Sequence, residues 1–251
     1  MPSGDRGVVA LWEGVSAMRS IKVLGSCAVL VAALVASACT PTTPSTPTAT
    51  TVKRPSVVLV GDSISTDASA GAQLDAVFGV LFPWNFSRYA VSGTDVRSMR
   101  DAIRARAAFR PDVMVIELGT NDMGAINQGH PDLATALTRY AAAVGEMQGA
   151  MNDLAGIRCV VWIDINDWSR IFNDEYDLRT WGPVYNDRLR AEAALRPNVH
   201  VVDYAAQIMG RGLPWLAANY DANVLIHPVT TEGRQTVAAI MAQGVRNACG
   251  I

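Results

Sequence analysis

The chain has 251 residues, 50% hydrophobic and 18% charged, with a formal net charge of −2 at pH 7. That balance suits one globular domain of ordinary solubility, expected as a monomer. It offers no basic excess for nucleic acid and no block of like charge for an interaction tail.

Arg19 and Lys22 precede an apolar run from Val23 to Val35, which closes on Ala36-Ser37-Ala38 and then Cys39. The pattern reads as a secretory signal peptide over residues 1–38, with Met18 a plausible true start. A cysteine directly after small residues resembles a bacterial lipobox, in which that cysteine is lipidated and becomes the mature N-terminus. Ala36 stands where Leu is more usual, and ordinary secretion after Ala38 is the alternative. A lipid at Cys39 would anchor the protein to a membrane of the cell envelope. Residues 39–54 are rich in Pro and Thr, cannot bury a core, and read as an extended tether. The folded domain is then 55–251.

Val57 to Ser65 reads VVLVGDSIS, an apolar run suited to a strand buried on both faces and broken by a turn. Helical spacing over 68–80 follows, so Ser63 stands where a strand turns into a helix. Two readings stay open there: a nucleophile at the ligand-binding edge of an α/β sheet, or a helix N-cap. A second strand over 85–91 ends at Ser92-Gly93-Thr94. A helix over 95–109 carries Arg97, Arg100, Arg104 and Arg106, most simply a solvated face. The third strand, 113–118, ends at Gly119-Thr120-Asn121-Asp122. A long helix over 133–154 leads to the fourth strand, 158–165. The polar and aromatic stretch 166–182, with Trp168, Phe172, Tyr176 and Trp181, reads as a loop that either lines an acyl or glycan site or packs on itself. A helix over 183–195, a strand over 199–203, an irregular stretch over 204–224 and a last helix over 231–247 complete the chain.

Five strands alternating with helices define an α/β domain with a parallel sheet and right-handed crossovers. No G-x-G-x-x-G follows the first strand and no P-loop occurs, so no nucleotide cofactor is indicated. The three histidines, His130, His200 and His227, are far apart, with no C-x-x-C and no H-E-x-x-H, and no metal site is expected. Parallel strands gather the polar motifs at 61–63, 92–94 and 119–122 on one rim. Acyl transfer needs a nucleophile, a base in reach, and donors aimed at the developing oxyanion. Ser63 could supply the first and His227, just before the last helix, the second. The backbone N–H groups of Ser63 and Gly93 and the side-chain amide of Asn121 could supply the donors.

GDSIS, GTND and the late His-Pro together resemble the SGNH (GDSL-type) hydrolases. Ser63, Gly93, Asn121 and His227 match that family's four marker residues in order. The resemblance implies a flavodoxin-like α/β/α sandwich with strand order 2-1-3-4-5, and metal-free hydrolysis or transfer of an acyl ester of a lipid or carbohydrate. Such members usually carry Asp three residues before the His, where Val224 stands here. Asp221, six residues before His227, could reach back if the intervening residues bulge. A backbone carbonyl could hold the ring instead, and Asp164 and Asp167 are further stand-ins. Three readings follow: a serine esterase, an O-acyltransferase using the same site, or a binding lipoprotein that has lost activity.

Cys27 and Cys39 fall in the leader and at its cleavage site, leaving Cys159 and Cys249 in the domain. Cys159 opens the fourth strand at the edge away from the rim, and the last helix must run back to that same edge. A disulfide is expected on that topology; two unpaired thiols are the alternative.

Overall fold

The computed structural model describes residues 53–167, 178–222 and 225–251. The leader over 1–38, Cys39 with most of the tether, the aromatics Trp168, Phe172 and Tyr176, and Val224 lie outside the described residues. One compact unit spans Thr51–Ile251.

Its centre is a five-stranded sheet: β1 (Ser56–Gly61), β2 (Asn85–Ala90), β3 (Val113–Glu117), β4 (Cys159–Ile163) and β5 (Val199–Val202). All neighbours are parallel and the spatial order is β2-β1-β3-β4-β5. Every residue of β3 and β4 is buried, as an apolar run covered on both faces requires. β2 alternates exposed and half-buried residues, because it forms an edge.

The helices are α1 (Gly71–Ala76, continued by a π-helical turn to Leu81), α2 (Val96–Ala107), α3 (Thr120–Gly124), α4 (Leu133–Asp153), α5 (Leu178–Ala194), α6 (Tyr204–Met209), α7 (Leu213–Asn219) and α8 (Thr231–Cys249). α1 and α8 cover one face of the sheet, and α2, α4 and α5 pack side by side on the other. Backbone N–H donors at the helix starts are met locally: the Asp95, Asp132 and Thr230 side chains accept from Ser98 N, Thr135 N and Gly233 N.

Three details differ from the sequence reading. α5 begins at Leu178, five residues ahead of Pro183, which sits inside the helix. Burial outweighs the missing proline donor: Leu178, Trp181 and Tyr185 all face the core. Trp181 is therefore a packing residue; its Nε1 donates to Asn127 Oδ1 at 3.0 Å and its ring stacks on Tyr140. The stretch 204–224 contains α6 and α7, too short for periodicity to reveal. The arginines of α2 are not simply a solvated face. Arg100 bridges to α4 through Asp153 at 2.8 Å and Glu146 at 3.2 Å. Gly149 makes the room, since a Cβ there would stand 2.5 Å from the Arg100 guanidinium.

Cys159 and Cys249 are joined by a disulfide with a Cα–Cα distance of 5.8 Å. It ties the last residue of α8 to the first of β4, at the edge where the strands begin.

Candidate active site

β1 delivers Gly61 and Asp62 to the rim, where residues Ser63–Ser65 form a single 3₁₀ turn. The Asp62 side chain caps that turn, its Oδ1 accepting from Ile64 N at 3.0 Å. Ser63 is therefore the first residue of the turn, and its hydroxyl is left for another partner.

That partner is His227. Its Nε2 lies 2.8 Å from Ser63 Oγ, and its Nδ1 lies 2.9 Å from Asp221 Oδ2. Asp221 reaches the ring because its backbone and carboxylate are bonded to Leu225, Ile226 and His227. Asp221 N donates to His227 O at 3.0 Å and Leu225 N to Asp221 O at 2.9 Å. The other carboxylate oxygen, Oδ1, accepts from Ile226 N at 2.7 Å and His227 N at 3.2 Å. Leu225 takes a left-handed conformation with φ of 52°, uncommon for a side chain of its size. The amide of Asn166, beyond the end of β4, holds it there by donating to Leu225 O at 3.0 Å. Below the loop, Tyr220 and Pro228 form a bridge, and Val229 N donates to Asn219 O.

Asp164 and Asp167 do not meet His227. Asp164 is buried, accepts from Ala205 N at 2.9 Å and pairs with Arg190. Burial pushes its carboxyl up to about 7. Asp167 packs against Gly182 and accepts from Asn186 Nδ2 at 3.4 Å.

Gly93 lies just past β2, in a turn with φ of 74°, a conformation that favours glycine although there is open space for a side chain. The turn is pinned to the nucleophile strand by Val91 N, which donates to Gly61 O at 3.1 Å. Asn121 sits in the first turn of α3, and its Nδ2 donates to Thr94 O at 2.9 Å and Asp62 Oδ2 at 3.1 Å. Gly119 ahead of it permits a close approach: a Cβ would stand 2.7 Å from the Tyr185 ring.

A buried acid pair underlies this turn, and the sequence reading did not single it out. Glu117, the last residue of β3, accepts from Ser65 Oγ at 2.8 Å and from Asp62 N at 3.2 Å. Its carboxyl is within hydrogen-bond reach of that of Asp62. Burial pushes the Asp62 carboxyl up to about 6. Burial, and then the charge of Asp62, holds Glu117 well above the usual carboxylate range. Both carboxyls are thus raised by burial, and each bears on the other's titration, Glu117 the more strongly shifted. The signal was present in VMVIEL: one acid in an otherwise apolar strand demands a partner.

A hydroxyl bonded to an imidazole whose second nitrogen meets a carboxylate can lose its proton to the ring as it attacks. With the doubly covered parallel sheet, that row defines a serine hydrolase of the α/β/α type. The chain belongs to the GDSL-like lipase/acylhydrolase family, whose model matches residues 59–233. Solved structures share the fold. An α/β hydrolase from the metagenome of Lake Arreo, Spain, is 21% identical with a TM-score of 0.55, over 78% of this chain and 95% of that one. An acetylxylan esterase from Geobacillus stearothermophilus is 17% identical with a TM-score of 0.55, over 78% and 94%. A GDSL-like lipase described as putative, from Parabacteroides merdae, is 18% identical with a TM-score of 0.51, over 77% and 96%. No curated protein matches the chain.

Proposed function

We propose that the protein is an exported serine esterase acting on acyl esters of a lipid or carbohydrate, with Ser63, His227 and Asp221 as its triad. The observation that carries this reading is the continuous hydrogen-bonded row from Asp221 through His227 to Ser63. Ser63 Oγ attacks the ester carbonyl while His227 Nε2 takes its proton. Asp221 fixes the ring and stabilises its charged form. The oxyanion is received by the N–H groups of Ser63 and Gly93 and by Asn121. The Asn121 amide exchanges its bond to Thr94 O for the oxyanion while Asp62 keeps hold of the same nitrogen. Collapse of the intermediate expels the alcohol, protonated by His227, and leaves an acyl-enzyme on Ser63. Water, activated by His227, releases the acid.

Resolution of the same acyl-enzyme by a sugar hydroxyl would make the protein an O-acyltransferase. The acetylxylan esterase of similar fold acts, by its name, on acetyl groups carried by a polysaccharide, which makes a short acyl group on a sugar the first substrate to try. Cys39 is the proposed lipid anchor. The test is hydrolysis of p-nitrophenyl esters from acetate to laurate. Turnover by the wild type that is lost in Ser63→Ala supports the reading, and equal turnover by both overturns it.

A further inference from the structure

The edge of the sheet opposite the catalytic rim carries an unusual surface. Parallel pairing brings the residues ahead of each strand to this one edge. Phe109 is 80% exposed, Val80 78%, Leu195 76% and Leu81 72%; these are the four most exposed large apolar side chains among the described residues. Val80 and Leu81 close the π-helical turn ahead of β2, while Phe109 follows α2 ahead of β3 and Leu195 follows α5 ahead of β5. Four highly exposed apolar side chains thus lie toward the end of the sheet where the strands begin, spread from the β2 side to the β5 side.

Cations accompany them. Lys53, Arg54, Arg110 and Arg158 are exposed on the same edge. The acids there are turned inward. Asp112 accepts from Ser56 N and Oγ, both at 2.9 Å, and Lys53 and Arg158 face it from solvent. Asp153 is engaged by Arg100 and Arg104. The same edge receives the chain from its N-terminal segment. Arg54 O is bonded by Asn85 Nδ2 and Pro55 O by Asn85 N, which fixes the entry point beside the start of β2.

We infer that this edge is a lipid-facing surface, in which Phe109, Leu195, Val80 and Leu81 dip into an anionic bilayer beside the point where the tether enters the domain. Exposed apolar tips together with exposed cations are the chemistry by which a peripheral protein holds to an anionic membrane. No described helix is long and apolar enough to cross a membrane. The catalytic rim then points away from the lipid, toward material outside the membrane. The inference builds on the proposed envelope location but needs neither lipid at Cys39 nor esterase activity.

The test uses the mature chain, residues 39–251 with Cys39→Ser, so that one introduced thiol can be labelled with an environment-sensitive dye. Labels go at position 109, at position 195 and, as the rim control, at position 133. Vesicles of phosphatidylglycerol and of phosphatidylcholine are compared, with flotation to show that the chain is bound. Expected is a blue shift at 109 and 195 with phosphatidylglycerol, smaller with phosphatidylcholine and weakened by salt, and no shift at 133. Arg110→Glu combined with Arg158→Glu should remove the shift while leaving the thermal midpoint in place, each cation accounting for roughly fivefold in surface affinity. A bound chain with no shift at 109 and 195, a shift at 133 instead, equal shifts in both lipids, or failure to float each overturns the inference. A shift without vesicles, together with a dimer in sedimentation, would assign the face to a second copy and overturn it as well.

Discussion

Asp221 Oδ2 lies 2.9 Å from His227 Nδ1 although the two residues are six positions apart. The acid spans that gap because its own backbone and its second oxygen close the loop around the histidine. One carboxylate thus meets the ring and holds the backbone that carries it. Asp221→Asn keeps an oxygen for Ile226 N and His227 N but loses the charge that favours the imidazolium. Activity on p-nitrophenyl acetate should fall by roughly 10²–10⁴-fold with the fold retained. A change of less than about threefold would mean that a neutral acceptor suffices and the enzyme works as a Ser–His dyad.

Asn166 should matter although it is far from the ester. Its amide holds the Leu225 carbonyl, and Leu225 is the residue in the left-handed conformation. Asn166→Ala removes that clamp, and the lost hydrogen bond is worth about 0.5–1.5 kcal/mol of stability. The expected kinetic result is a fall in kcat with little change in KM, because the loop positions His227 and does not bind substrate.

Asn121 is held ready by Asp62 and Thr94. On the proposed oxyanion role, its truncation to Ala should lower kcat by roughly 10²–10³-fold with KM nearly unchanged. A rise in KM alone would make it a substrate-binding group.

The buried pair of Asp62 and Glu117 should leave a signature in stability against pH. Glu117 is held well above its ordinary value of 4.5 when folded, so the native state binds a proton that the unfolded chain has already released. Stability from this group is fully present below about pH 4.5 and is lost progressively as pH rises toward the folded value. Asp62, raised from 3.8 to about 6, acts in the same direction between those two values. Glu117→Gln imitates the protonated acid: one atom accepts from Ser65 and Asp62 N, and the other donates to Asp62. Denaturant unfolding at pH 5 and pH 8 should therefore show the variant gaining on the wild type as pH rises. A difference that is flat or shrinks with pH would mean that Glu117 is ionised in the folded protein.

The Cys159–Cys249 bond closes a loop of sequence separation 90. In the chain-entropy model it contributes up to roughly 4–5 kcal/mol. Replacing both cysteines by Ser should lower the thermal midpoint by several degrees while leaving activity largely intact, since the bond lies at the edge away from the rim. A midpoint that does not move would show that the packing of α8 holds the terminus without it.

Much of the fold was legible because it rests on one simple signal. Val57–Val60, Val113–Leu118 and Cys159–Ile163 are continuous apolar runs that only a doubly covered strand explains, and the sheet follows from their alternation with helices. The misreadings share a cause: they depended on partners distant in sequence. Pro183 looked like a helix start until burial of Leu178 and Trp181 carried the helix past it. Arg100 looked solvated until α4 brought Glu146 and Asp153 to its side. The site divides in the same way. Ser63, Gly93 and Asn121 announce themselves at strand ends, whereas the choice of Asp221 over Asp164 or Asp167 turns on a backbone loop that no periodicity encodes. Glu117 and Asn166 became visible only once β3 and the end of β4 were set against the nucleophile turn and the histidine loop.

The central claim is that Ser63, and no other serine, forms the covalent intermediate. The direct measurement is peptide mapping by mass spectrometry after treatment with a fluorophosphonate, which traps an activated serine hydroxyl. One adduct is expected, on Ser63, lost in Ser63→Ala and strongly slowed in His227→Ala. An adduct on Ser65 or Ser92, or undiminished labelling of Ser63→Ala, would contradict it.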